Sequence, residues 1–248
     1  EPQEAGAGPP DPAPSPRSAM VRSAAQFSVA TVLSLASGIV RSFFVMKLLG
    51  VAASGVWMGL QLVVNYGANA HFGAVNGMHR NLPLLRGRGE TGRLEIVKRT
   101  IFTFTLGMGV LLFALVAASA FGLLDPLARL FGERGRDVIS HLAEPTLRPV
   151  LLGVAAVLPL NLMRSYYVTL FRAENRFREA SQASIAGAVL GVVTLVLIGP
   201  FGLEGVVWGL MALIGVEALW LAVCAGVPRF GWSGTVLREQ LSVGYVMV

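Results

Sequence analysis

The chain has 248 residues, 54% of them hydrophobic and only 14% charged, with a formal charge of +6. A soluble domain carries about 25% charged residues, so this composition and a mean hydropathy of +0.65 exclude that class in favour of a membrane protein. The apolar runs are far longer than the alternating segments of about ten residues that build a membrane barrel. The predicted fold class is therefore all-α, a polytopic membrane bundle of six transmembrane helices.

In chain order, residues 1–19 are rich in Pro and Ala with no apolar periodicity, which predicts a disordered tail. A six-helix membrane lobe follows over 20–228, with spans at 24–49, 54–78, 100–124, 149–171, 180–201 and 204–227. Each is long enough to cross about 30 Å of hydrocarbon at about 1.5 Å per residue. The connections at Gly50 and around Gly202 are very short and predict tight antiparallel hairpins. Residues 125–147 predict a short amphipathic helix on the outer surface. Residues 229–248 read as a cytoplasmic linker and the start of a seventh helix, too short to cross, so the intact protein is expected to be longer.

Arginine placement orients the spans. Lys47 and Lys98 are the only lysines among 20 basic residues. With the N-terminus in the cytoplasm, thirteen basic residues fall in inside segments and four in outside segments, as the positive-inside rule requires. This clustering explains a pI near 10.2 without nucleic acid. Cys224 is the single cysteine, which excludes an intrachain disulfide and a cysteine-based metal site. Gly87, Gly89 and Gly92 form a GxGxxG match in an Arg-rich loop with no preceding strand, so it is a chance match. No motif calls for a metal or other cofactor.

Three polar stripes interrupt the spans. On the second span Gln61, Asn65, Asn69, Asn76 and His79 fall within roughly 80° of one another around the helix. The fourth carries Asn161, Arg164, Arg172 and Asn175 within a similar arc, and the first carries Ser34, Ser37 and Arg41. An ionised group inside a span costs roughly 2.5–3.5 kcal/mol on insertion scales, so such groups face a polar cavity or a partner. These stripes predict a shared aqueous lumen; hydrogen bonding between helices is the competing reading. Glu217 on the sixth span lies at nearly the depth of Arg164. Either the two form a structural ion pair, or Glu217 is an ion-sensitive carboxylate. Pro159 is expected to kink the fourth span.

The stretches VRSFFVMKLLGVAASGVWMGLQLV, FGAVNGMHRNLPLLRGRGE, YYVTLFRAENRFREASQASIAGAVLG and VLREQLSVGYVMV carry a further signal. Together they resemble oligosaccharide flippases and polysaccharide exporters of the multidrug/oligosaccharidyl-lipid/polysaccharide exporter superfamily. The likeness runs from about Met20 to Val248 and corresponds to one lobe of a two-lobed carrier. It implies a bacterial inner-membrane protein with a cationic cavity between two lobes, the C-terminal lobe being its missing partner. It further implies that Arg41, Arg164, Arg80 and Arg172 hold the pyrophosphate of a polyprenyl-linked glycan, with membrane lipids as a further partner. Alternating access without covalent chemistry is the expected mechanism. A cation-coupled multidrug exporter of the same superfamily is the main alternative, and a membrane-embedded glycosyl or acyl transferase a weaker one.

Overall fold

A computed structural model describes residues 16–123 and 146–245. Seven α-helices occur among the described residues: α1 Pro16–Ala68, α2 Ala74–Gly87, α3 Thr91–Ala120, α4 Arg148–Ala173, α5 Phe177–Val193, α6 Ile198–Ala225 and α7 Gly234–Tyr245. A 3₁₀ turn, Thr194–Leu197, joins α5 to α6. The amphipathic helix expected at 125–147 and most of the expected tail lie outside the described residues; helix begins at Pro16.

Four stretches are long and apolar enough to cross a membrane. Two of them, Ser28–Ala68 and Phe177–Ala225, have 41 and 49 residues. As straight rods they would reach roughly 60–75 Å, about twice the hydrocarbon thickness. Each instead breaks at one glycine. Gly50 adopts φ 73°, ψ 176°, and Gly202 adopts φ 53°, ψ −125°. Side chains with a Cβ avoid both conformations. Val45 before Gly50 and Trp57 and Leu60 after it share one apolar cluster, so the chain doubles back there. The four stretches thus make six crossings.

The hairpin closing at Gly202 is held by small residues in register. A Cβ on Gly205 would meet the Leu197 carbonyl group, one on Gly209 would lie 2.8 Å from Thr194 Oγ1, and one on Gly191 would lie 2.7 Å from Leu213 Cδ1. A Cβ on Gly187 would meet the Glu217 carboxyl group. Gly187–Gly191 and Gly205–Gly209 each repeat at four residues, the spacing that lets membrane helices approach backbone to backbone. Lipid supplies no hydrophobic drive between helices, so this close packing is what holds the hairpin.

Two apolar cores result. One lies toward the Arg-rich end and joins Val75, Met78, Leu82, Val97, Ile101, Tyr166 and Phe171. The other lies toward the opposite end and joins Val45, Trp57, Leu60, Val154, Val157, Val206 and Ile214. Between them α3 and α4 touch closely, since a Cβ on Gly109 would lie 2.9 Å from Pro159 Cα. Pro159 does not end α4, which runs from Arg148 to Ala173.

The second crossing departs from expectation. It is not one helix through residue 78: helix stops at Ala68 and resumes at Ala74. Phe72 (φ 48°) and Gly73 (φ 83°) are both left-handed. Tight turns bridge the gap, with Asn69 N–H donating to the Tyr66 carbonyl at 3.0 Å and Phe72 N–H to the Asn69 carbonyl at 3.1 Å. The buried His71 accepts the Gly73 N–H at Nδ1 over 3.2 Å, which supplies one freed donor with a partner. Beyond the break α7 lies antiparallel along α2. A Cβ on Gly77 would strike the Gln240 carbonyl, and one on Gly244 the Gly73 carbonyl. Asn81 Nδ2 donates to the buried Gln240 Oε1 at 3.0 Å, and Arg93 pairs with Glu239 at 2.9 Å.

Candidate functional site

The polar residues inside the spans are held at several depths of the bundle. Arg164 projects from α4 and its Nε donates to Glu217 Oε2 on α6. Glu217 is 5% exposed and Arg164 36% exposed, so the carboxylate is sealed while the guanidinium reaches outward. Gly187 on α5 makes the room: any side chain there would occupy the position of the Glu217 carboxylate. Three helices therefore build one buried acid and its cation. A buried pair of this kind adds little net stability, yet losing one partner strands the other charge.

Arg41 takes a different position. Its Nη2 donates to the Val206 carbonyl at 3.2 Å. Val206 and Glu217 both belong to α6, eleven positions apart, or about 16 Å along its axis. Arg41 and Arg164 are thus anchored to one helix at different depths and do not converge on one ligand-sized spot. Arg172 lies eight positions beyond Arg164 on α4, about 12 Å nearer the Arg-rich end, and is exposed. Arg80 is exposed on α2. Near it, Leu82 and Arg86 line a cavity with Ala173 and Glu174, so Arg80 shares the level of the last turn of α4.

The remaining predicted residues separate by helix. Ser34 Oγ donates to the Ser184 carbonyl at 3.3 Å and Ser37 Oγ to the Ala188 carbonyl at 2.8 Å, so these two bind α1 to α5. Gln61 and Asn65 are exposed on the second half of α1. Asn69 falls in the break, where its Nδ2 donates to the Asn65 carbonyl at 3.0 Å. Asn76 is partly buried and His79 exposed on α2. The single five-residue stripe expected of a continuous helix is therefore not formed, because the left-handed pair at Phe72 and Gly73 rotates α2 relative to α1. Asn161, one turn from Arg164, is partly buried on α4. Two participants had not been singled out, Gly187 and His71. The four-residue glycine spacing signals the first; nothing local signals the second.

No family model and no curated protein sequence matches the chain. Solved structures do. One, described as a MOP superfamily transporter from Pyrococcus furiosus Vc1 (DSM3638) whose binding pocket has reverse polarity, superposes with a TM-score of 0.68 at 20% identity, over 92% of this chain and 51% of that one. The fold is similar to that of about half of that structure. An outward-facing multidrug resistance MATE transporter of the same superfamily gives 0.68 at 17% identity, over 92% and 51%. A MATE protein in a straight conformation gives 0.66 at 21% identity, over 92% and 52%. The chain spans about half the length of each of these structures.

Proposed function

We propose that this chain is one lobe of a carrier that moves a lipid-linked oligosaccharide or polysaccharide precursor across the bacterial cytoplasmic membrane. Its N-terminus faces the cytoplasm and it works by alternating access. The observation that carries the reading is the spread of arginines through the lobe: Arg80 and Arg172 near the Arg-rich end, Arg164 deeper, and Arg41 toward the far end. From Arg172 to Arg41 this covers roughly 28 Å, close to one hydrocarbon thickness. Glu217 is the only buried acid among the described residues, and Arg164 neutralises it. Guanidinium groups suit a pyrophosphate because they bind its oxygens in pairs. Their spacing supports successive engagement of a small di-anion and not one simultaneous clamp. Depletion of the full-length protein is expected to trap labelled lipid-linked glycan on the cytoplasmic leaflet, read by its protection from an externally added glycosidase. Unchanged export in depleted cells would overturn the proposal.

A second reading rests on Glu217. A carboxylate sealed among three helices and bound to one arginine is a natural coupling group for a cation-driven multidrug exporter. On that reading Glu217→Gln uncouples drug efflux from proton or sodium gradients in proteoliposomes. Under the glycan reading the variant leaves drug efflux absent in both forms and slows glycan movement.

A further inference from the structure

Ser34 and Ser37 of α1 bond to the Ser184 and Ala188 carbonyls of α5, at sequence offsets of 150 and 151. The two helices therefore run in the same direction in a fixed register. Nearer the Arg-rich end a cleft of about 460 Å³ opens between them. Ala25, Gln26 and Val29 line it from α1, and Arg178, Ser181, Gln182 and Ile185 from α5. Ser181 is buried and its Oγ donates to the Phe177 carbonyl at 2.7 Å. Gln26, Arg178 and Gln182 are exposed and supply the polar rim. Arg178 makes no hydrogen bond or ion pair among the described residues; the adjacent Glu179 is held by Arg176 at 2.9 Å. The cleft therefore carries one unneutralised cation.

Register orders these groups by depth. At the offset set by the two serines, Gln26 lies level with Arg176, about 3 Å nearer the helix end than Arg178. Gln182 is one turn deeper than Arg178 on the same face of α5, and Ile185 about 10 Å deeper. That face continues within α5 through Val189 and Val192, which are 57% and 41% exposed. From Arg178 to Val192 is about 21 Å, more than the depth of one leaflet. The order from the surface inward is thus amide, guanidinium, amide, hydrocarbon. Gly187, which houses the Glu217 carboxylate, lies about 180° round α5 from this face, so the cleft is separate from the Arg164–Glu217 pair.

We propose that this cleft is where the carrier takes up its lipid-linked substrate on the Arg-rich side, an inference that rests on the glycan reading above and adds its loading site. The pyrophosphate lies against Arg178 and Gln182, the first sugar against Gln26, and the isoprene chain along Ile185, Val189 and Val192. A polyprenyl pyrophosphate-linked glycan presents its parts in that same order when it stands in a leaflet. A guanidinium binds phosphate oxygens in pairs. A carboxamide both donates and accepts, as sugar hydroxyls require. A cationic amphiphile would instead meet Arg178 with repulsion and find no carboxylate in the lining.

Photo-crosslinking tests the site in full-length protein reconstituted in nanodiscs, with photoreactive benzoylphenylalanine in place of Val189. The probes are radiolabelled polyprenyl pyrophosphate and the matching polyprenol. The pyrophosphate is expected to give at least tenfold more adduct than the polyprenol. Arg178→Gln should lower its adduct at least fivefold, and Val29→Trp should do the same by narrowing the cleft without touching a charge. Both residues are exposed, so thermal unfolding of each variant should match the native protein. Native-like adduct in both variants overturns the site, as does displacement of the probe by an equal concentration of phosphatidylglycerol, which would mark ordinary lipid contact. The two readings fail separately. Trapped glycan on depletion with native adduct and export in Arg178→Gln sinks the loading site alone. Unchanged export on depletion, with the adduct and its loss in both variants as expected, sinks the transport reading and leaves a polyprenyl pyrophosphate site.

Discussion

Replacing Arg164 with alanine in the full-length protein is expected to stop transport and to lower stability by roughly 3 kcal/mol. The second effect follows from geometry. Glu217 is 5% exposed and would lose its only cation, and breaking a buried pair on one side costs roughly 3–5 kcal/mol. The 36% exposure of Arg164 puts the loss at the lower end. A single substitution therefore confounds folding with function. The double variant Arg164→Met with Glu217→Met separates them, because an apolar pair of similar volume is often neutral or stabilising. It should unfold within about 1 kcal/mol of the native protein and transport nothing. Thermal unfolding in detergent and glycan export in cells are the two readouts. Native transport by the double variant removes the pair from the pathway, and a fully stable Arg164→Ala protein shows that the pair does not form.

The glycine series in α6 should give the largest purely structural effects. A methyl group at Gly205 would meet backbone, the Leu197 carbonyl, which cannot rotate away. At Gly209 it would lie 2.8 Å from Thr194 Oγ1, a side-chain atom that can turn. At Gly199 it would meet nothing within 4 Å. Gly205→Ala should thus destabilise by about 1–3 kcal/mol, Gly209→Ala by less, and Gly199→Ala should be neutral or slightly stabilising through helix propensity. Gly205→Leu should prevent the hairpin from closing and yield no folded protein. An equal response at Gly199 and Gly205 would refute the backbone contact.

Much of this architecture was legible because lipid imposes length. Apolar runs of about twenty residues and two glycines between abutting runs predicted six crossings and two hairpins. Counting at helical rise from the span ends put Arg164 and Glu217 at one depth, and they do pair. What failed to show was tertiary. Asn69 reads as a member of a polar stripe on a continuous helix and not as a break, and Phe72 carries no local sign of a left-handed backbone, a conformation bulky residues rarely take. Projection onto one helical wheel therefore joined Asn65 to Asn76 across a gap. In the same way, periodicity brought Ser34, Ser37 and Arg41 onto one face of α1 without revealing that α5 and α6 occupy that face.

The gap at 69–73 falls between the two cores, with Trp57 and Leu60 seated in one and Val75 and Met78 in the other. A continuous rod would force both to tilt as a unit. A rod missing its rungs at that level does not: each portion follows the body in which it is embedded. The lobe is then built like two storeys with a flexible joint in one of its pillars. Amides around Asn69 to Gly73 should exchange hydrogen earlier than those on either side, marking the storey line in solution.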